Sequence, residues 1–481
     1  LKCSLVVLIT LIILVIFKLD VKVITTVYFA LVCIIVLLKK IKENKSNDVK
    51  IGLKVTSRVK RLMFTNLLLF LLVLAFTFYF KNINLRYLIL FTYEIMLCFI
   101  IMLSIIINKP VERMVYLSYK RKATNKLHQM KSLKVIGITG SYGKTSSKNI
   151  LSDILNVKYN ALPSPKNFNT PYGLIITVNN HLDKFDDILI AEMGAYKVGE
   201  IKELCDLVKP KYGILTKIGT AHIEIFGSQE NIQKGKFELI ESLPHDGIGV
   251  LNADDPLQVN YKLKNDCKIL WIGIENKDAD VLATDIKTSN VGTTFNVVFK
   301  GDKNKYKFTT KLLGYNNIYN ILAALALSKE FGLTIEQMQK AVLGVKSVEH
   351  RLELRKAGNI TYIDDSYNSN PVGSKMALEV LKSMPGTKIV MTPGMVELGD
   401  KHYELNKKFG TYMKDTTDIV ILVGEKITKP IKDGLKEVNY NEKNIYVVKS
   451  TKEAFALVNS LSKGKEVYCL IENDLPDIYN E

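Results

Sequence analysis

The stretch Val135-Ile-Gly-Ile-Thr-Gly-Ser-Tyr-Gly-Lys-Thr-Ser146 joins a short apolar run to a glycine-rich loop, and a helical pattern follows it. Backbone N–H groups between Gly140 and Gly143 can wrap a polyphosphate, while Lys144 supplies a charge to the outer phosphates and the Thr145 hydroxyl can reach a magnesium ion. The glycines stand at positions 137, 140 and 143, whereas a strict P-loop has its first glycine at the position of Ile138 here. Because a strand precedes the loop and a helix follows, we interpret it as a nucleotide-binding loop rather than a chance turn. The binding residues are Gly140, Ser141, Tyr142, Gly143, Lys144, Thr145 and Ser146.

Strand and helix patterns alternate from residue 133 onwards. Short apolar runs that each lead into a polar loop occur at 135–139, 187–191 and 212–216. This alternation is typical of parallel strands in a sheet that is covered by helices on both faces, with ligands at the carboxyl ends of the strands. We therefore expect an α/β fold whose central domain, residues 133–345, is a P-loop-type ATPase domain with a parallel sheet.

A second set of alternating segments follows a helical run at 320–343. Its apolar runs lie at 360–363, 388–391, 418–423, 444–448 and 466–471. They predict a smaller, Rossmann-like C-terminal domain, residues 346–481.

The first 134 residues differ from the rest in charge and hydropathy. They carry 22 Lys and Arg against five acids, and so hold +17 of the chain's formal net charge of +18. They also contain four apolar stretches, at 3–17, 23–38, 62–80 and 87–107, and a membrane-spanning helix needs about 20 apolar residues. We interpret all four as spans, and not the first as a signal peptide, because no small-residue cleavage site follows it.

Basic residues then predict the orientation of these spans. Segment 39–61 carries nine bases and two acids, and further bases follow the fourth stretch. The positive-inside rule assigns both segments to the cytoplasm. We therefore expect a multi-pass plasma-membrane protein with a four-helix membrane region at 1–108, a juxtamembrane linker at 109–132 and cytoplasmic catalytic domains. Anionic membrane lipid is the expected partner of the bases, and nucleic acid is not, because the soluble part lacks a basic stripe interleaved with aromatic residues.

Further polar residues follow the predicted strands of the central domain. Glu192 closes a buried strand and can hold a cation that bridges phosphates, although a single Glu at that place is more often a solvated strand end. His222 lies just past another strand, and Lys234 and Lys236 begin the next helix. A lone His is usually structural, but a phosphate loop, an acid, a His and a helical Lys in this order favour a catalytic site. The six cysteines have no metal-ligand spacing.

Together these motifs resemble those of the Mur ligases, the ATP-dependent amide-forming enzymes of cell-wall peptide assembly. The similarity is greatest to the members that add D-alanyl-D-alanine to a UDP-muramoyl tripeptide, with transmembrane helices in place of the N-terminal domain that grips the UDP-sugar. Nine blocks occur in family order, at 137–146, 167–173, 192–194, 218–228, 251–256, 314–320, 364–371, 397–399 and 472–477.

The resemblance implies roles for individual residues around the phosphates. Lys144 and Thr145 would hold the β- and γ-phosphates and a first magnesium ion, which Glu192 would also support. His222 and a carbamylated lysine, taken as Lys236 with Lys234 as the fallback, would hold a second magnesium ion where the acyl group is transferred. The implied metal ligands are thus Thr145, Glu192, His222 and Lys236.

The resemblance also assigns residues to the nucleotide and to the second substrate. Asn317 and Asn320 would face the adenine and ribose, and Arg351 would reach the nucleotide from the C-terminal domain. Asp365, Tyr367 and Asn368 would close on ATP and the amino substrate. The implied catalytic residues are Lys144, His222, Lys236 and Asp365.

These observations predict a membrane-anchored ligase that uses ATP and Mg²⁺ and forms an amide bond through an acyl phosphate. It would add an amino acid or a D-alanyl-D-alanine-like dipeptide to a cell-wall muropeptide precursor, either UDP-linked or lipid-linked. Two alternatives are a ligase for a different membrane-borne peptide polymer and a nucleotide-binding pseudoenzyme that serves the wall machinery as a scaffold. A scaffold needs no second metal site, so His222 and Lys236 speak against it.

Overall fold

The computed structural model describes residues 55–220, 222–367, 369–396 and 398–473. The chain divides into two compact units, one ending at Lys120 and one beginning at Arg121. The first two predicted spans, 3–17 and 23–38, lie outside the described residues, as does Asn368.

The described part of the first unit is helical. The helices are α1 (Ser57–Thr77), α2 (Ile83–Ile95) and α3 (Leu97–Gln129), the last of which continues into the second unit. Helix α1 begins where the Thr56 hydroxyl accepts a hydrogen bond from the Val59 amide. An ion pair of 2.7 Å joins Arg61 of α1 to Glu112 of α3.

The prediction of a multi-pass plasma-membrane protein is wrong. Among the described residues, α1 is the single helix long and apolar enough to cross a membrane. The fourth predicted span, 87–107, is divided between α2 and α3, with a break at Met96. Helix α2 has 13 residues, against the roughly 20 that a bilayer requires, and α3 runs on into charged residues. A four-helix membrane region is therefore not part of the fold that the structure describes.

The central sheet has nine strands in the order β2-β3-β1-β4-β5-β6-β7-β8-β9. Its strands are β1 (Lys134–Thr139), β2 (Ala161–Pro163), β3 (Ile188–Glu192), β4 (Tyr212–Leu215), β5 (Ile248–Asn252), β6 (Lys268–Gly273), β7 (Val281–Ser289), β8 (Gly292–Phe299) and β9 (Tyr306–Thr310). The helices that accompany it are α4 (Lys144–Leu155), α5 (Pro171–Ile176), α6 (Glu200–Val208), α7 (Ile223–Phe226), α8 (Gln229–Glu241), α9 (Pro256–Val259), α10 (Tyr315–Glu330) and α11 (Ile335–Gly344), with a π-helical turn at Thr177–His181.

The expected parallel sheet is thus only part of the central sheet. Strands β1 to β7 pair in parallel, but β8 is antiparallel to both β7 and β9. Buried and partly exposed residues alternate along β8, as is usual for antiparallel strands. By contrast, every residue of β3 is buried, and β1 is buried from Val135 onwards. These two strands form the middle of the core and fix the start of the phosphate loop.

The second sheet has six strands in the order β10-β11-β15-β12-β13-β14, parallel except for β10. Its strands are β10 (Glu353–Ala357), β11 (Ile360–Asp365), β12 (Thr387–Thr392), β13 (Ile419–Val423), β14 (Ile445–Val448) and β15 (Val467–Glu472). Its helices are α12 (Pro371–Lys382), α13 (His402–Tyr412), α14 (Glu425–Glu437) and α15 (Thr451–Leu461), with 3₁₀ turns at Gly399–Lys401 and Glu442–Asn444. Because β11 and β15 are neighbours in register, Asp365 and Glu472 are paired at their carboxyl ends.

Candidate active site

The loop after β1 is shaped by two glycines with positive φ. Gly140 has φ +149° and Gly143, at the N-terminus of α4, has φ +84°, a region that residues with a Cβ rarely adopt. A Cβ at Gly140 would lie 1.9 Å from the Thr216 hydroxyl oxygen. That hydroxyl donates to the Tyr142 carbonyl at 2.6 Å, and the Ser141 amide donates to the Lys217 carbonyl at 2.9 Å. The end of β4 therefore holds the loop in a single shape.

The side chain of Lys144, the first residue of α4, folds back onto this loop. Its Nζ donates to the carbonyl oxygens of Gly140, at 2.7 Å, and Ser141, at 3.2 Å. Burial lowers the pKa of Lys144 to about 8, with Arg351 adding to the shift and Glu192 opposing it. An anion bound at the helix N-terminus would restore the favourable environment of this charge.

Glu192 closes β3 and is buried. Its Oε1 accepts from the Asn169 amide at 3.2 Å, and its Oε2 forms a 3.0 Å ion pair with Lys148. Lys148 is itself buried and donates to the Lys166 carbonyl at 2.6 Å. Lys148 was not among the predicted site residues, although it stands one helical turn after Lys144 and so on the same face of α4.

The residues around the loop are compatible with magnesium that is held largely by phosphate and water. Within the described ranges, no group of three or more His, Cys, Asp and Glu side chains is placed to hold a metal ion. Mg²⁺ at nucleotide sites is usually bound through one or two carboxylates, substrate phosphates and several waters. The Thr145 hydroxyl and the Glu192 carboxylate are oxygen donors of this kind, so the predicted first metal site fits the chemistry of its donors.

Lys236 and His222 both contact the segment that follows Glu192. The Lys236 Nζ donates to the Ala195 carbonyl at 3.2 Å and lies 5.3 Å from the centre of the Phe226 ring. The His222 ring packs edge-on against the Tyr196 ring, with 4.6 Å between their centroids. The structure thus brings the predicted acid, His and Lys around one short piece of chain.

The two candidate lysines of α8 differ in their surroundings. Lys236 is 2% exposed, whereas Lys234 is exposed to solvent. Burial lowers the pKa of Lys236 to about 7, and nearby Lys144 adds to this shift. A neutral amine is the form that reacts with carbon dioxide to give a carbamate, so the environment of Lys236 suits the predicted modification.

A cavity of about 1030 Å³, part of it open solvent, separates the phosphate loop from the carboxyl edge of the second sheet. Of the predicted residues, those that line it are Tyr142, Gly143, Ser146, Asn317, Asn320, Arg351, Asp365 and Tyr367. Sequence reasoning gave no role to several others on its wall, among them Asn252, Ser369, Asn370 and Glu472. All four stand inside the recognised blocks, and that position was the available signal for them.

Side chains of the second sheet reach the same cavity. The Arg351 guanidinium stacks over the Tyr367 ring at 4.9 Å. The Asp365 carboxylate accepts from the Leu352 amide at 3.2 Å. Burial raises the pKa of Asp365 to about 6, against the opposing effect of Arg351. A glycine-rich loop on one side and an Arg with an Asp on the other are the groups expected of a nucleotide site between two domains.

Comparison with known proteins identifies this arrangement. Residues 138–328 match the Mur ligase middle domain, and residues 350–470 match the Mur ligase glutamate ligase domain. The chain belongs to the Mur ligase family. Members of this family are ATP- and Mg²⁺-dependent ligases that form amide bonds, so the predicted enzyme class and cofactors are confirmed.

Individual relatives agree with the family assignment. A UDP-N-acetylmuramoyl-tripeptide–D-alanyl-D-alanine ligase from Bacillus subtilis is 34% identical over 297 residues, which are 61% of this chain and 63% of that protein. The ligase of the same name from Buchnera aphidicola subsp. Acyrthosiphon pisum is 30% identical over 65% of this chain and 70% of its own length. The MurF ligase from Thermotoga maritima in complex with ADP superposes with a TM-score of 0.65 at 26% identity, over 75% of this chain and 80% of that one.

The family assignment does not test the predictions for single residues, domain boundaries and the lipid partner. This chain spans less than two thirds of the Bacillus subtilis relative. The roles of single residues and the domain boundaries stay predictions. The relatives' names contain a UDP-linked precursor and a dipeptide but no lipid, and the lipid partner also stays a prediction.

Proposed function

We propose that this chain joins an amino acid or a D-alanyl-D-alanine-like dipeptide to the peptide of a UDP-muropeptide precursor at the expense of ATP. The relatives named above carry this activity in their names. The observation that carries the proposal is the cavity between the phosphate loop and the second sheet, with Tyr142 and Gly143 of the loop on one wall and Arg351 and Asp365 on another.

In the proposed first step, a carboxylate of the precursor peptide attacks the γ-phosphorus of ATP, and ADP leaves. Two anions must approach each other, so cationic groups have to offset their repulsion. Lys144 at the loop and Arg351 across the cavity provide fixed positive charge for this purpose. Because both are anchored before substrate binds, by the loop carbonyls and by the Tyr367 ring respectively, little reorganisation is needed.

In the proposed second step, the amino group of the incoming substrate attacks the acyl phosphate and releases phosphate. Thr145 and Glu192 would hold one magnesium ion, and His222 with carbamylated Lys236 a second. Bound magnesium would supply further charge neutralisation for the phosphoryl oxygens. Lys236 is 2% exposed, so a carbamate on its side chain would be shielded from bulk water.

The direct test is product formation by the full chain with ATP, Mg²⁺, UDP-muramoyl tripeptide and D-alanyl-D-alanine. We expect stoichiometric release of ADP and phosphate with a ligated product seen by mass spectrometry. Replacing the dipeptide by single amino acids measures which amine is accepted. ATP binding without turnover on any of these substrates would contradict the proposal and favour the scaffold function.

A further inference from the structure

Glu472 is a buried carboxyl on the wall of the nucleotide cavity. It ends β15, with no part of its side chain exposed to bulk solvent, and its neighbour in register is Asp365 of β11. Both residues line the cavity that contains Tyr142 and Gly143 of the phosphate loop. Two carboxyls therefore stand side by side opposite the loop that receives phosphate.

Only one oxygen of Glu472 is satisfied. Oε1 accepts from the Ser369 hydroxyl at 2.5 Å and from the Ser374 hydroxyl at 2.7 Å, while Oε2 is buried without a hydrogen-bond partner. In the described part of the chain no Lys, Arg or His forms an ion pair with Glu472. A buried carboxylate with an unpaired oxygen is costly, and burial together with Asp365 raises the pKa of Glu472 to about 8. The cavity wall thus holds a carboxyl whose ionised form needs a cationic partner, and a cation brought by the substrate would favour that ionised form.

The chemistry of this acceptor limits its partner. A phosphate oxygen would be repelled by it. A magnesium ion is the other cation that a carboxylate in a nucleotide cavity can bind, and the Mg²⁺ requirement of the variants below distinguishes it from an amine. An ammonium group can satisfy one carboxylate oxygen with a short, charge-assisted hydrogen bond, and the proposed reaction brings an ammonium group to this cavity.

We propose that Glu472, with its Oε2, binds the amino group of the incoming amino acid or dipeptide and accepts one proton from it. The proposal rests on the proposed ligase function. The free amine then forms the new C–N bond at the acyl carbon, the bond between that carbon and the phosphate oxygen breaks, and the second proton of the amine leaves with inorganic phosphate. Ser369 and Ser374 are positioning residues, because their hydroxyls hold Oε1 and so fix the orientation of the carboxyl group.

Replacing the nucleophile separates this step from acyl phosphate formation. Hydroxylamine is uncharged at neutral pH and attacks acyl phosphates to give hydroxamates without having to lose a proton first. We expect Glu472→Gln to lower ligation of D-alanyl-D-alanine by at least ~10²-fold and to leave hydroxamate formation with hydroxylamine unchanged. Glu472→Asp, which keeps the charge, should retain part of the ligation rate.

The matched control is Glu379→Gln, which removes an exposed carboxylate from α12 of the same domain and should leave both reactions unchanged. Three results for Glu472→Gln would each overturn the assignment. The first is an equal loss of both reactions, and the second is ligation at the wild-type rate. The third is a shifted Mg²⁺ requirement with an unchanged KM for the dipeptide. Wild-type protein that forms no hydroxamate would instead contradict the ligase function itself.

Discussion

The central edge, meaning the carboxyl ends of the central strands with the loops and helices that follow them, and the C-terminal edge, meaning the carboxyl ends of the second sheet, solve opposite electrostatic problems with the same physical means. On the central edge, burial pushes the pKa values of Lys144 and Lys236 down to about 8 and about 7. On the C-terminal edge, burial pushes those of Asp365 and Glu472 up to about 6 and about 8. Each edge therefore holds charges that lack full solvation. The central edge is suited to binding anions and the C-terminal edge to binding a cation. A reaction between a phosphate donor and an amine requires both.

The two edges also differ in how they are built. The central edge is a loop whose shape depends on Gly140 and on the Thr216 hydroxyl that fixes the Tyr142 carbonyl. The C-terminal edge consists of strand ends, where the pairing of β11 with β15 aligns Asp365 and Glu472. Substitutions in the loop should consequently damage the first edge through its backbone shape, whereas substitutions of buried ionisable residues should damage either edge through its charge.

Removing the buried lysine of the central edge should give the largest effect. We expect Lys236→Ala to lower the ligation rate by at least ~10²-fold, because a preorganised charged group at the acyl transfer site is lost. If the lysine acts as a carbamate, short-chain carboxylates at high concentration should restore part of the rate. Steady-state ligation with and without added carboxylate measures both effects.

Lys234→Ala is the matched variant for this experiment, two residues away on α8 and exposed. It should keep the wild-type rate and show no response to carboxylate. The opposite pattern, with Lys234→Ala inactive and Lys236→Ala active, would transfer the role to the fallback residue and remove Lys236 from the central edge.

Altering the loop backbone should give a smaller but still clear effect. Gly140→Ala would put a Cβ 1.9 Å from the Thr216 hydroxyl at a φ of +149°, and strain of this kind costs on the order of 1–3 kcal/mol. We expect a lower free energy of unfolding in urea and weaker ADP binding. Gly344→Ala, where a Cβ meets open space, should change neither. An unaltered ADP affinity in Gly140→Ala would mean that the loop tolerates a different shape.

The sequence predicted the central edge far better than the C-terminal edge. The spacing of glycine, lysine and threonine after an apolar run is a local pattern. The predicted strand at 135–139 lies within β1, and the helix predicted after the loop is α4. Lys148 and Glu472 were missed as functional groups because their importance arises from burial and from long-range partners. The ion pair between Lys148 and Glu192 joins residues on different elements, and the bonds to Glu472 come from Ser369 and Ser374, about a hundred positions earlier.

Hydropathy misled for a related reason. A count of apolar residues treats the stretch at 87–107 as one segment, but the helical conformation is interrupted between α2 and α3. The length of a continuous helix decides whether a segment can cross a bilayer. The antiparallel strands β8 and β9 were missed as well, because the predicted strands are continuous apolar runs, whereas buried and partly exposed residues alternate along β8.

The smallest expected effect concerns the charge of the C-terminal edge, and it appears in stability. The pKa of Glu472 is raised from 4.5 to about 8 in the folded protein, so between these values the folded state binds more protons than the unfolded state. The free energy of unfolding must therefore fall as pH rises through this window. Glu472→Gln removes this titration and should flatten the fall between pH 6 and 8, above the range in which Asp365 also contributes. The difference in unfolding free energy between wild type and Glu472→Gln should be on the order of 1 kcal/mol, since a carboxyl at a cavity wall gains some hydration when it ionises.

Urea unfolding at several pH values measures this effect, and Glu379→Gln is the control for loss of an exposed charge. Parallel curves for wild type and Glu472→Gln would show that Glu472 ionises in the folded protein as easily as in water, and the contrast between an edge suited to anions and an edge suited to a cation would then rest on Asp365 alone.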